Sequence, residues 1–390
     1  MDIKALRNET PGVNEVIHFN NAGASLITQK TLDAQLGYLK EEALFGGYET
    51  AAKYEKRINA FYTEIAKLLN AEPEEIAYTE SATVAWERAF FSIDFKPGDE
   101  IVCDHTSYAS NYIAHLQAEQ RYGTKTVVIP ANHFGEVDVE ALKTLISAKT
   151  KLISITHMPT NGGLVNPAEA IGRVANEHHI LYLLDACQSA GQYPLDVRKI
   201  GCDFLSSTGR KYLRGPRGTG FLYASKKILK SITPINLDLH SAEWNSINSF
   251  KQLDNAKKFE TWESNIAAKI GLITAVQQIN EIGIDKICNR VTEVADYLRD
   301  ELSKIKEITV QDIGRVKSGI VTFTSSKFTP LEMKKFFSEN KINTVTPTLS
   351  GTRIDMEARK LDAVLRSSVH YYNTKEEIDT FASLIKQMHR

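Results

Sequence analysis

Between about residue 70 and residue 225, short apolar runs alternate with longer stretches whose apolar residues recur at helical spacing. The runs EIAYT, EIVCD, KTVVIP, KLISIT, ILYLLDA, DFLSST and GTGFLYAS have the length and the β-branched and aromatic character of buried strands. Between several of them lie VAWERAFFSI, NYIAHLQAEQRYG, VEALKTLISA and PAEAIGRVANEHH, which are amphipathic at a helical period. The alternation predicts an α/β fold, a mostly parallel sheet with helices on both faces. A sheet of that kind carries its ligand at the carboxyl ends of its strands.

After about residue 250 the pattern changes. A helix near 264–282 leads into GIDKICNRVTEVADYLRDELSKI, a second helical stretch. Strands EITVQDI and SGIVTFTS, a helix near 330–339, strands KINTVTP and AVLRSSVHYY, and a last helix KEEIDTFASLIKQMH follow. The expected organisation is an N-terminal arm over 1–16, a large domain over 17–263 and a smaller C-terminal α+β domain over 264–390. No flexible linker separates the two domains, so they are expected to pack closely.

Composition narrows the function classes. The chain has 390 residues, with 42% hydrophobic and 24% charged residues, the balance of a globular protein large enough for more than one core. A formal net charge of -1 offers no bulk attraction to nucleic acid or to a membrane surface. No apolar run is long enough for a membrane span. The polar start, MDIKALRNETPGVNE, is read as neither a signal nor a transit peptide. Cys103, Cys187, Cys202 and Cys288 show no metal-ligand spacing and no CxxC pair. They are expected to be free thiols of a reduced, cytoplasmic protein, and no metal site is expected.

One stretch carries more charge and glycine together than a solvated loop needs: STGRKYLRGPRGTG, residues 207–220. Its lysine, Lys211, follows the strand DFLSST, and Asp185 closes the neighbouring apolar strand ILYLLDA. Adjacent strand ends bring such residues into one cleft. An amine nucleophile beside a carboxylate suits pyridoxal phosphate, where the lysine forms the Schiff base and the carboxylate pairs with the pyridinium nitrogen. A strand-end aspartate and a surface lysine in unrelated ion pairs is the plain alternative. The cofactor's phosphate needs backbone N–H groups, hydroxyls and cations. In YTESATVAWERAF a strand, a small-residue turn and a helix start offer Ala82 and Thr83, and beside the lysine stand Thr208 and Arg210.

These stretches resemble, over nearly the whole chain, the class V aminotransferase-fold enzymes, the group of cysteine desulfurases, selenocysteine lyases and isopenicillin N epimerases. HFNNAGAS is similar to the family's N-terminal motif, LDACQSAGQYPLDV to its Asp-x-x-Gln strand, and STGRKYLRGPRGTGFLY to its lysine segment. FETWESN and LRSSVHYYNTKEEID resemble its later motifs. The resemblance implies the pyridoxal-phosphate-dependent transferase type I fold, an amino-acid substrate and a homodimer whose site spans the interface.

The resemblance also assigns residues. Lys211 is the Schiff-base lysine and the proton shuttle at Cα, and Asp185 pairs with the ring nitrogen. Gln188 and Asn161 sit by the ring's phenolic oxygen. Tyr108 stacks on the ring face, with His105 as the alternative in register. Ala82, Thr83, Thr208 and Arg210 hold the phosphate, Arg210 standing where the family has histidine. Arg366 clamps the substrate carboxylate, and Gly23 and Ala24 let the N-terminal segment approach the substrate. Arg214 and Arg217 are left open between a rigid loop, a partner contact and an anionic substrate. Glu263 departs from the pattern, because the family has a phosphate-binding threonine at about that place.

An absence points to the reaction. The resemblance places the sulfur-accepting cysteine of the desulfurases in INTVTPTLSGTRIDMEARK, which contains no cysteine. The expected activity is therefore a C–S lyase reaction, β-elimination on a cysteine S-conjugate or sulfoxide with release of pyruvate and ammonia. An amino-acid epimerase and a desulfurase without the usual cysteine are the alternatives. FGGYETAAKYEKRI and GRKYLRGPRGTGFLY are similar to stretches of the ergothioneine-pathway C–S lyase, which acts on a hercynylcysteine sulfoxide. Tyr48, Trp86, Trp244, Trp262 and His240 are candidate pocket residues.

Overall fold

The computed structural model describes residues 1–390. Eight strands precede residue 225: the two-residue β1 (Ile17–His18), then β2 (Ile76–Thr79), β3 (Glu100–Asp104), β4 (Lys125–Ile129), β5 (Thr150–Thr156), β6 (Leu181–Asp185), β7 (Phe204–Thr208) and β8 (Gly220–Ala224). The last seven form one sheet in the order β2-β8-β7-β6-β5-β3-β4. Strand β8 runs antiparallel to both of its neighbours, and every other pairing is parallel.

The apolar runs form strands because both of their faces are covered. Ile153, Leu184 and Leu205 face one core, which contains Ile171, Val174 and Ala175 of the Ala168–Glu177 helix. Their chain neighbours Leu152, Leu183 and Phe204 face the opposite core, with Trp86, Ala89 and Phe90 of the Ala82–Phe90 helix. That is the two-residue period of a strand buried on both sides. The Ile266–Ile282 helix adds Leu272, Ile273, Val276 and Ile279 to the first core.

Beyond β8, a hairpin of β9 (Ala242–Ser246) and β10 (Ser249–Gln252) stands out from the surface, with Trp244 79% and Ile247 88% exposed. The chain then builds β11 (Ile308–Val310), β12 (Ile320–Ser325), β13 (Ile342–Asn343) and β14 (Leu365–Ser368). An antiparallel sheet in the order β11-β12-β14 packs on the Ile284–Ser303 and Lys375–His389 helices through Leu298, Leu302, Phe323, Leu365, Phe381 and Ile385. A reciprocal Thr374–Glu377 capping box starts the last helix.

The N-terminal strand β1 pairs in parallel with β13, and Phe19 is fully buried in the core of the smaller sheet. From there the chain turns toward the carboxyl ends of the large sheet: Gln188 Nε2 donates to the Ala22 oxygen at 3.1 Å, and the Ser25 N–H donates to the Arg210 oxygen at 2.9 Å. No helix is long and apolar enough to cross a membrane.

Candidate active site

Strands β6 and β7 are neighbours in parallel, with Asp185 opposite Ser206. Asp185 therefore ends one strand beside the turn that carries Lys211 after the other. Both line one cavity with Ser81, Ala82, Thr83, Tyr108, Gln188 and Arg210. Thr156, Met158, Thr160 and Cys187 complete its wall.

Lys211 makes no ion pair, and burial pushes its amine down from the ordinary lysine range, with the Arg210 and Arg366 charges adding to the effect against Cys187 and Asp185. A lysine held this way is a better nucleophile than a solvated one. Asp185 is 4% exposed. Its Oδ1 accepts the Cys187 N–H at 2.9 Å and its Oδ2 accepts Asn111 Nδ2 at 2.8 Å.

Ala82 and Thr83 open the Ala82–Phe90 helix, whose N-cap Ser81 accepts the Val84 N–H at 3.2 Å. The amides of Ala82 and Thr83 have no intrahelical acceptor, so they face the cavity as donors for an anion. The helix end sits this close to the sheet because Gly220 has no side chain. A Cβ there would lie 2.6 Å from the Ser207 oxygen and 2.8 Å from the Ser81 carbonyl carbon. Arg210 Nη1 donates to Thr208 Oγ1 at 3.0 Å. Thr208 itself donates to the Thr219 oxygen at 3.3 Å and lies behind the cavity wall.

The remaining expected residues divide. Gln188 has its Nε2 committed to Ala22, while Oε1 is buried without a partner. Asn161 points toward the Arg353–Ala358 helix region instead, its Nδ2 donating to Thr352 Oγ1 at 3.0 Å and to Met356 Sδ at 3.3 Å. Tyr108 lines the cavity and keeps 40% of its surface exposed, whereas His105 is buried away from it. Gly23 and Ala24 donate their N–H groups to the Asn20 oxygen, both at 3.0 Å, in a turn so tight that a Cβ on Gly23 would meet the Asn20 side chain.

Arg366, on β14, reaches the rim of the cavity through Thr160. Its Nη1 donates to the Thr160 oxygen at 3.1 Å and also bonds Thr160 Oγ1, and Nη2 reaches Asn20 Oδ1 at 3.4 Å. No carboxylate answers this buried guanidinium and its Nε has no partner. Burial pushes its pKa down to about 10. A buried guanidinium with spare donors is a seat for a carboxylate.

Other candidates take different places. Arg214 is a buried cation: Nε donates to the Leu26 oxygen at 2.8 Å, Nη1 to the Tyr371 hydroxyl at 2.6 Å and Nη2 to Thr10 Oγ1 at 2.7 Å. Arg217 is exposed. Trp86 belongs to the core, stacked on Phe90 at 4.7 Å. His240 meets Glu260 Oε2 at 3.0 Å. Glu263 is exposed and pairs with neither Arg210 nor Arg217; it lines a separate cavity with Leu39, Tyr48 and Trp262. Trp244 lies on the hairpin.

Asn111, Asn20 and Thr160 are absent from the residues expected from sequence. Thr160 precedes Asn161 directly, so the MPTNGG turn held the signal one position away. Asn111 gave none, being a polar residue in a helical stretch. Among the cysteines, only Cys187 lines the cavity; Cys288 lines another one with His157 and Tyr193.

A family described as Aminotransferase class-V matches residues 17–381. A protein of Methanothermobacter thermautotrophicus described as a probable cysteine desulfurase is 28% identical over 397 residues, covering 100% of this chain and 98% of its own. The apo cysteine desulfurase of Thermococcus onnurineus NA1 superposes with a TM-score of 0.92 at 23% identity, over 99% of this chain and 97% of that one. The cystine C–S lyase C-DES, solved with its reaction product cysteine persulfide, gives a TM-score of 0.87 at 22% identity, over 96% of this chain and 98% of that one.

Proposed function

The chain belongs to the aminotransferase class-V family, and from that premise we propose that it is a pyridoxal-phosphate-dependent carbon–sulfur lyase, cleaving a cysteine S-conjugate or sulfoxide by β-elimination. Its cofactor is pyridoxal phosphate. The residues fit that group: free helix-start amides at Ala82 and Thr83 with Arg210 for the phosphate, Asp185 for the ring nitrogen, the open end of the Gln188 amide, and an unpaired Lys211. When bound, the cofactor supplies an electron sink for the pair left at Cα.

The chain's own residues do the rest. Arg366 binds the substrate carboxylate and fixes Cα in place. Lys211 takes the proton from Cα. The Cβ–S bond then breaks and the sulfur leaves with its electron pair, a step that needs little acid when the leaving group is a sulfenate, thiolate or persulfide. The three-carbon remainder takes up water and leaves as pyruvate and ammonia. Tyr108 forms part of the cavity wall beside Lys211 and Asp185.

The observation that carries the lyase over the desulfurase is the lack of a thiol where sulfur would be handed on. Residues 342–360 contain no cysteine, and the thiol of Cys187 in the cavity wall is pushed far up by burial. The desulfurase reading is the second one, favoured by the description of the Methanothermobacter relative. Two copies form the working unit. Leu39, Tyr48 and Trp262 stand exposed around one cavity, an apolar surface of the kind a second copy covers. Four free cysteines suit the cytoplasm.

The test is product analysis with the cofactor-loaded protein on cysteine, cystine, S-substituted cysteines and their sulfoxides, with Lys211→Ala as control. Pyruvate in step with substrate loss, abolished by the substitution, is the expected result. Alanine in place of pyruvate moves the assignment to a desulfurase. Deuterium exchange at Cα with neither product moves it to an epimerase.

A further inference from the structure

Asn111 lies in the first turns of the Ala109–Tyr122 helix and is 6% exposed. An amide buried to that depth is costly unless it is used. Its Nδ2 donates to Asp185 Oδ2 at 2.8 Å, across the gap between that helix and the end of β6. The other carboxylate oxygen accepts only from Cys187, two residues along the same chain turn, and Asp185 makes no ion pair.

The torsion that turns a carboxylate about its Cβ–Cγ bond is broad and two-fold, so one local N–H leaves its plane loosely held. A second donor from a separate element fixes the plane. The same helix is pinned at its start as well: the Tyr108 N–H donates to Thr156 Oγ1 at 3.3 Å, and Thr156 is the residue opposite Asp185 between β5 and β6. One helix start therefore presents Tyr108 to the cavity and sets the carboxylate at its floor.

We propose that Asn111 is a positioning residue for the cofactor: it sets the plane of the Asp185 carboxylate so that one oxygen meets the ring nitrogen of pyridoxal phosphate. The inference rests on the cofactor assignment made above. It makes a chemical distinction that a merely structural amide does not. Losing Asn111 harms binding only through the ring nitrogen. A cofactor analogue with carbon at that ring position has nothing for Asp185 to meet and does not register the loss.

The experiment measures equilibrium binding of pyridoxal phosphate and of its 1-deaza analogue to the wild-type protein, Asn111→Ala and Asn111→Leu, by cofactor absorbance and protein fluorescence. The leucine fills the amide's volume, so a folding failure of the alanine variant leaves the test standing. In the variants the affinity for pyridoxal phosphate falls about tenfold or more, the scale of a lost hydrogen bond to a charged group, while that for the analogue changes less than about twofold. Equal losses for both ligands, or no loss for either, overturn the role of Asn111 while leaving the cofactor assignment intact. Failure of the wild-type protein to bind pyridoxal phosphate overturns the assignment and this inference with it.

Discussion

Arg366 Nη1 donates to the backbone oxygen of Thr160 at 3.1 Å, joining β14 of the smaller sheet to the loop that follows β5 of the larger one. The contact fixes one side of a planar five-donor fork and leaves the rest without a carboxylate. Arg366→Lys keeps the charge and loses the fork. We expect kcat/KM for the amino-acid substrate to fall about a hundredfold, with cofactor affinity unchanged. Steady-state kinetics beside a cofactor titration check this. A lysine variant with wild-type kcat/KM rules out the clamp.

Arg214 shows how a cationic loop becomes an interior brace. It ties the lysine loop to Thr10 and Leu26 near the N-terminus and to Tyr371 near the C-terminus, and it packs over the Tyr372 ring at 4.5 Å. Its φ of 59° is left-handed, a strain these contacts overcome. Arg214→Ala is expected to cost about 3 kcal/mol, because it strips three charged hydrogen bonds and keeps the strained backbone. Arg214→Gly relaxes the strain and is expected to recover about 1 kcal/mol of that loss. Chemical denaturation gives both values. A glycine variant less stable than the alanine one contradicts the account.

The same residue marks the limit of what the sequence disclosed. Strand patterns located the large sheet, and with it the meeting of Asp185 and Lys211, because parallel neighbours put their ends together whatever their side chains. Arg214 and Arg217 look alike in a string of basic residues, yet one is sealed under three bonds and the other is exposed. Asn111 was hidden for the opposite reason. Its partner lies seventy-four positions away, and nothing local distinguishes it from a solvated helix residue. The hairpin of β9 and β10 was missed because its side chains are exposed on both faces, so no alternation marks it.

Four buried histidines, His18, His115, His157 and His370, are held below the ordinary imidazole range by burial and together set a pH dependence. Burial pushes His115 down to about 3 and His157 down to about 4, against 6.5 for an exposed ring. The unfolded chain binds a proton below pH 6.5 that the folded chain refuses. Their contribution is therefore complete above that value and is lost as pH falls toward 4. At pH 5 His115 and His157 are each expected to reduce stability by about 1–2 kcal/mol relative to pH 7.5. His157→Gln removes one titrating group, so its stability should fall less over that interval than the wild type's. Parallel denaturation series at the two pH values measure the difference. Equal slopes for the two proteins defeat the prediction.

Tyr108 and His105 compete for one role, and their surroundings separate them. Tyr108 caps the Ala109–Tyr122 helix with extended backbone, φ -67° and ψ 141°, which swings its ring out over the cavity. His105 is 8% exposed with its Nδ1 unpartnered, and it sits below the turn as part of the protein interior. An aromatic face against a flat ring contributes about 1 kcal/mol beyond the area it covers. Tyr108→Ala should therefore weaken pyridoxal phosphate binding about fivefold to tenfold and shift its absorbance, with little change in thermal stability. Tyr108→Phe, which keeps the face and loses only the hydroxyl, should bind as the wild type does. His105→Ala should do the reverse of Tyr108→Ala, lowering stability through the cavity it leaves and sparing cofactor affinity and spectrum. If His105→Ala alone changes the spectrum, the stacking residue is the histidine and the turn before the helix must rearrange when the cofactor binds.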